Sequence, residues 1–158
     1  MANQRIIPFL WFVDNNAEEA MDYYCNVFPN SKIVEITRYP EDESMDEHFK
    51  GMKGKVLTGV FELDGQQFMA IDGGDNGFTF NNAVSFLVEC KDQEEIDYYW
   101  KKLSAKPEDE QCGWCTDKYG VRWQICPADM GRFMSTSAQM QAMLKMKKII
   151  ISELENAG

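Results

Sequence analysis

An internal duplication constrains this chain more than any other feature. Phe9-Leu10-Trp11-Phe12-Val13 runs into Ala17-Glu18-Glu19-Ala20-Met21-Asp22-Tyr23-Tyr24, with Phe28 four residues on. Ser85-Phe86-Leu87-Val88 runs into Asp92-Gln93-Glu94-Glu95-Ile96-Asp97-Tyr98-Tyr99, with Leu103 at the same remove. The ends of the halves match as well, Asp64-Gly65-Gln66-Gln67-Phe68-Met69-Ala70-Ile71 against Tyr119-Gly120-Val121-Arg122-Trp123-Gln124-Ile125-Cys126. A repeat of this length reads as one supersecondary unit built twice. The offset is 75 from Tyr23 to Tyr98 but 55 from Gly65 to Gly120, so the first half carries about 20 extra residues before its last hairpin. They fall between Arg38 and Lys55, a polar stretch holding Glu41, Asp42, Glu43, Asp46 and Glu47, which has the composition of a long surface loop.

Each half reads as strand, helix, then strands. Residues 6–13 are aromatic and β-rich, and Asp14-Asn15-Asn16 can turn the chain and cap a helix from about 17 to 28. Ala17, Ala20, Met21, Tyr24 and Phe28 recur at helical spacing, and Pro29-Asn30 ends the run. Ile33 to Tyr39 and Val56 to Leu63 follow as strands, and Asp64-Gly65 is a two-residue hairpin signal leading into Gln67 to Ile71. Glycines 73, 74 and 77 mark the linker. The second half repeats the plan with strands near 84–90, 112–116 and 121–126 and a helix near 92–104. After Pro127 the repeat ends. Ser135, Thr136 or Ser137 can cap a helix carrying Met140, Met143 and Leu144, and Ser152 with Glu155 has capping-box spacing for a last short helix. That appended segment is expected to cover its own sheet or to reach across a dimer.

Composition narrows the function classes. The chain has 158 residues and a formal charge of -10, which argues against nucleic acid, since binding to phosphate backbones is driven by Lys and Arg. No apolar run is long enough to cross a bilayer and residues 1–5 do not resemble a secretion signal, so a cytoplasmic protein without membrane contact is expected. Five cysteines without a dense framework fit free thiols in a reducing compartment.

The paired βαβββ pattern resembles the vicinal oxygen chelate superfamily, the fold of glyoxalase I, extradiol dioxygenases and bleomycin-resistance proteins. Within it the chain is similar to the PhnB-like group, whose sequences carry a family name taken from a demethylubiquinone methyltransferase. The residues that carry the likeness are Pro8-Phe9-Leu10-Trp11-Phe12, Asn16-Ala17-Glu18-Glu19-Ala20, Phe28-Pro29-Asn30-Ser31, Phe61-Glu62-Leu63-Asp64-Gly65-Gln66, Gln111-Cys112-Gly113-Trp114 and Asp117-Lys118-Tyr119-Gly120-Val121-Arg122-Trp123-Gln124. Met140 to Lys148 also resembles the group's tail. The resemblance implies an α+β fold in which two βαβββ modules form a curved mixed-sheet cleft, glyoxalase-like, with an appended C-terminal helix. The expected division is a single domain, 1–158, with modules at 1–76 and 77–130 and an extension at 131–158.

In metal-dependent members, His, Glu or Gln side chains from four equivalent strand positions hold a divalent ion. Carried onto this sequence, those positions fall near Pro8, Met69, Ser85 and Gln124, and only Gln124 is a usual ligand. No metal and no cofactor are therefore expected. The single histidine, His48, sits in the acidic loop and reads as a solvated residue. Cys112-Gly113-Trp114-Cys115 has dithiol spacing, but it reads as a strand entering a turn, not as the start of a helix that would activate a thiol. Its redox activity is left open. The Gly73-Gly74-x-x-Gly77 stretch precedes a β-like segment, unlike the glycine turn of doubly wound nucleotide-binding sheets.

What remains is an apolar pocket with a few polar groups, the usual build of a small-molecule site. Trp11, Phe68, Met69, Phe80, Ser85, Trp114 and Gln124 are its expected lining, with alternate members of the strand set free to face the core instead. Two readings follow: a metal-free protein binding a small hydrophobic or cationic molecule in the sheet cleft, or a metal-dependent lyase, isomerase or dioxygenase of the same superfamily. The family likeness also implies a homodimer.

Overall fold

In the computed structural model, which describes residues 3–41 and 47–158, the chain divides into two compact units, Met1–Thr79 and Phe80–Gly158. Both are α+β. The first is a four-stranded mixed sheet in the order β1-β4-β3-β2, built from β1 (Phe9–Phe12), β2 (Lys32–Arg38), β3 (Val56–Leu63) and β4 (Gln66–Asp72). β1 runs parallel to β4 and the other neighbours are antiparallel. Asp64 and Gly65 both have positive φ, 47° and 79°, so β3 and β4 are joined by the tight two-residue hairpin expected from the sequence.

Helix α1 (Ala17–Val27) lies on one face of this sheet and buries Ala17, Ala20, Met21, Tyr24 and Val27. Tyr24 stacks on Phe61 at 6.5 Å, and Phe61 in turn packs on Phe68 at 5.5 Å. Each such side chain withdrawn from water contributes roughly 1.5–3 kcal/mol. At Gly59 a Cβ would come 2.5 Å from the Met21 sulfur, so the glycine lets the helix approach the strand. The start of α1 is secured differently from the sequence expectation. Asn16 makes no side-chain cap, and the N–H of Ala17 donates instead to Asp72 Oδ1 at 2.8 Å, from the end of β4. Asp72 Oδ2 accepts from Val56 N–H at 2.8 Å, so one buried carboxylate ties α1 to the entry of β3.

The second unit has a three-stranded sheet, β5-β7-β6, from β5 (Phe86–Cys90), β6 (Trp114–Thr116) and β7 (Arg122–Pro127). Again the first strand is parallel to the last, and the neighbour across the hairpin is antiparallel. Helix α2 (Gln93–Leu103) is capped by Asp92, which accepts from Glu95 N–H at 2.9 Å, and buries Ile96, Tyr99 and Leu103. These are the counterparts of Met21, Tyr24 and Phe28. Where the first unit has β2, the second has a 3-10 turn at Pro107–Asp109, so its plan is βαββ. Pro107 followed by three acidic residues lacks the β-branched run that forms β2.

The C-terminal segment packs on the second unit. Cys112 and Gly113 N–H groups donate to the carbonyls of Met146 and Lys147, both at 2.8 Å. Helix α3 (Ser137–Leu144) begins with a capping box between Thr136 and Gln139. Helix α4 (Ile151–Asn156) starts one residue before Ser152, so the Ser152–Glu155 pair does not cap it. Its first N–H donates to Gln93 Oε1 at 2.8 Å, while Gln93 Nε2 donates to Ile149 O at 2.9 Å. A glutamine on α2 thus clamps the entry to α4, a partner 58 residues away that no local pattern reveals. Among the described residues no helix is long and apolar enough to cross a membrane.

Candidate functional site

Strand alternation assigns each side chain to a face. In unit one, Leu10, Phe12, Phe61, Phe68 and Ala70 are buried toward α1. Phe9, Trp11, Val60, Met69 and Ile71 point to the opposite, open face, where Phe9 lies beside Met69, Trp11 beside Ile71, and Met69 beside Val60. Trp11 is held there firmly. Its Nε1 donates to Gly74 O at 3.0 Å, its ring meets Phe78 edge-on at 5.4 Å, and a Cβ on Gly73 would fall inside the indole.

In unit two, Trp123 and Ile125 are buried, with Phe86 packed against Trp123 at 5.5 Å. The open face carries Leu87, Gln124 and Trp114 in one row across the three strands; Arg122 and Thr116 form the next row by strand parity, but there Thr116 is fully buried and Arg122 mostly so. Gln124 Nε2 donates to Ser85 Oγ at 2.8 Å, which fixes the amide and leaves its oxygen without a donor among the described residues. Arg122 Nη1 donates to Thr116 Oγ1 at 2.6 Å and to Gly120 O at 3.2 Å, and lies 3.5 Å from Asp109 Oδ2. A hollow of about 290 Å³ is lined by Asn82, Asp109, Gln111, Cys112 and Trp114.

The expected site residues therefore separate. Trp11 and Met69 share the open face of the first sheet; Ser85, Trp114 and Gln124 share that of the second. Phe68 does not belong with them, because strand parity turns it toward α1, where it is 8% exposed against Phe61. Phe80 sits beside the Gly120 turn, its ring 3.8 Å from where a Cβ on that glycine would stand. Arg122 was given no role by the sequence, although the alternation of Arg122 and Gln124 with buried Trp123 and Ile125 places both on one face.

The ladders also correct the register of the repeat. Phe9–Phe12 lies along Met69–Asp72 as Leu87–Cys90 lies along Gln124–Pro127. Ser85 is thus the counterpart of Ile7, not of Pro8, and the residues paired with Met69 and Gln124 are Phe9 and Leu87. The donor set at the four equivalent positions, Phe9, Met69, Leu87 and Gln124, does not fit a divalent ion that needs several N or O ligands. Among the described residues no three His, Cys, Asp or Glu side chains gather as a metal site. Residues 42–46, with Asp42, Glu43 and Asp46 of the acidic loop, lie outside the described residues, as does the His48 side chain.

The cysteines are free. Cys112 and Gly113, with φ of 52° and 84°, form the tip of a tight turn closed by paired hydrogen bonds between Gln111 and Trp114. Cys115 is buried in β6, and that burial pushes its thiol up to about 12. Burial likewise raises Cys90 to about 12 and Cys126 to about 11. A thiol so held is protonated at neutral pH and is a poor nucleophile.

The sequence model of the 3-demethylubiquinone-9 3-methyltransferase family matches residues 4–126. The chain belongs to that family. A PhnB protein from Bacillus cereus whose name carries the same methyltransferase description is 39% identical, over 77% of this chain and 98% of that one, with a TM-score of 0.63. A protein from Staphylococcus aureus is 30% identical over 79% of this chain and 97% of its own, with a TM-score of 0.36. One from Pseudomonas aeruginosa is 17% identical over 79% and 98%, with a TM-score of 0.59, and shares the fold. No curated protein matches. The fold is the glyoxalase-like fold of the vicinal oxygen chelate proteins, and the chain is a PhnB-like member. Among the described residues no sheet is doubly wound, and the glycines at 73, 74 and 77 lead into irregular chain and then β5, not into a helix.

Proposed function

We propose that this PhnB-like protein binds a small hydrophobic molecule on the open faces of its sheets and does so without a metal ion. The observation that carries the reading is the donor set at the ligand positions. Phe9, Met69 and Leu87 stand where N or O ligands would be needed, and Trp11 and Trp114 lie on the same two faces. Apolar walls with a few fixed polar groups, here Ser85 and Gln124, orient a ligand without supplying chemistry to it. The net charge of -10 would draw a cationic ligand to the protein from a distance, whereas contact at the second sheet is with Gln124. The hydrophobic part of the ligand is therefore the part this reading commits to. The working form we infer is a cytoplasmic homodimer.

Elemental analysis of untagged protein, with a native mass spectrum, tests this. The expected result is no stoichiometric divalent metal and a dimer that retains a small organic mass. One divalent ion per chain would overturn the reading and point to a lyase, isomerase or dioxygenase instead.

A further inference from the structure

The hollow of about 290 Å³ in the second unit gathers polar groups that the fold itself does not use. Its lining is Asn82, Asp109, Gln111, Cys112 and Trp114. Asn82, Asp109 and Gln111 are exposed and Cys112 and Trp114 half-buried, so the lining can be reached from solvent. Among the described residues the Asn82 and Gln111 amides, the Trp114 indole N–H and the Asp109 carboxylate have no hydrogen-bond partner. Asp109 has a cation nearby without a bond from it. Arg122 Nη1 lies 3.5 Å from Asp109 Oδ2 but donates to Thr116 Oγ1 and Gly120 O instead. Glu110, the next residue, is by contrast held by Ser104 Oγ at 2.7 Å and paired with Lys147 at 3.4 Å. The backbone of the lining is fixed: Gln111 and Trp114 pair across their turn, and Cys112 N–H donates to Met146 O at 2.8 Å.

We propose that this hollow seats a planar organic cation, an amidinium or guanidinium group, against the Trp114 ring with its N–H groups donated to Asp109. The proposal deepens the binding reading above and rests on it, because Trp114 stands in one row with Gln124 and Leu87 on the open face. The apolar part of the ligand lies along that row and the cation fills the hollow. A carboxylate only accepts hydrogen bonds, and the amide oxygens of Asn82 and Gln111 add two further acceptors, so the ligand has to bring several N–H donors. An indole face attracts a positive charge, and a flat cation meets a carboxylate with two parallel N–H groups. Asp109 opposes an anion at the same place, and the net charge of -10 steers cations toward the chain. Fixed walls mean that little freedom is lost on binding.

The test compares 2-naphthamidine with its neutral counterpart 2-naphthamide by calorimetry on the full chain. It also follows the Trp114 indole N–H signal by nitrogen-15 NMR, which needs no mutation once the four tryptophans are assigned. The expected result is about tenfold tighter binding of the amidine, the size of a charge-assisted hydrogen bond, with a saturable movement of the Trp114 signal. Asp109→Asn should bring the two affinities together. Glu94→Gln removes the same charge from an exposed position on α2 and should leave the preference as it was. A preference that survives Asp109→Asn, or that Glu94→Gln lowers equally, overturns the proposal by showing attraction to the overall charge. Binding with the Trp114 signal unmoved overturns it as well, by placing the ligand elsewhere. Equal binding of amidine and amide overturns the cation seat but leaves hydrophobic binding intact. Failure of both compounds to bind overturns the binding reading of this face, and the seat with it.

Discussion

Asp72 is expected to be the most costly single polar residue to remove from the first unit. Its carboxylate is 2% exposed and accepts two main-chain N–H groups, from Ala17 and Val56, each at 2.8 Å. A hydrogen bond to a charged group contributes about 1.5–3 kcal/mol. Asp72→Ala removes both acceptors and leaves two donors facing a cavity, for a loss of roughly 3–6 kcal/mol, a large share of the usual total of about 5–15 kcal/mol. Asp72→Asn keeps one oxygen but turns an NH2 toward the other donor, so about half that loss is expected. Tyr39 donates to the Asp72 main-chain carbonyl at 2.9 Å, a bond that either substitution leaves in place. Urea unfolding followed by circular dichroism reads the effect; at a slope of about 2 kcal/mol per molar, Asp72→Ala should lower the midpoint by roughly 1.5–3 M. A shift below about 0.5 M with an unchanged slope would refute the reasoning, because it would mean that the two N–H groups find other acceptors at little cost.

Three further outcomes follow from the same contacts. Cys90, Cys115 and Cys126 keep their protons in the folded chain above the ordinary thiol value of 9.0, so their contribution to stability is intact below about pH 9 and is lost as pH rises toward 11–12. Urea midpoints between pH 8 and 10.5 should fall, less so in Cys115→Ala, and equal slopes for the two proteins would contradict the assignment. Gly73→Ala should drive the Trp11 ring off its place and break its bond to Gly74 O, at a cost of about 1–3 kcal/mol, visible as a displaced indole N–H signal. Thr136→Ala removes the cap of α3 and should cost about 1 kcal/mol in thermal unfolding, with the rest of the chain's spectrum unchanged.

Much of the architecture could be read from the sequence because it is written in local periodicity. The paired helices, their buried stripes, and the Asp64-Gly65 hairpin all follow from spacings within a dozen residues. What escaped was non-local. The cap of α1 comes from Asp72, 55 residues away, and the clamp on α4 from Gln93, so nearby candidates such as Asn16 and Ser152 suggested caps that other residues supply. The helices repeat at an offset of 75, from Tyr23 to Tyr98, whereas the β-ladders set Phe9 against Leu87 at 78, because the connection to the helix is longer in the first unit, 13–16 against 91–92, so no single offset aligns strand and helix together. Phe68 and Met69 are adjacent in sequence and equally apolar, and only the pleat separates the core residue from the candidate site residue. No local pattern marks Arg122, whose burial against Thr116 and Gly120 depends on the pairing of β6 with β7 and on the turn between them.

The central claim, that the open faces take a small apolar molecule with no metal involved, is tested most directly by methyl NMR. Methionine methyls would be labelled with carbon-13 and the protein titrated with 2-naphthamide before and after treatment with a chelator. Met69 on the open face and Met21 between α1 and β3 form an internal contrast within one sheet. The account predicts that the Met69 signal moves in a saturable manner, that Met21 stays, and that the chelator changes neither. Movement that vanishes with the chelator, or a Met69 signal indifferent to the ligand while others shift, would contradict it.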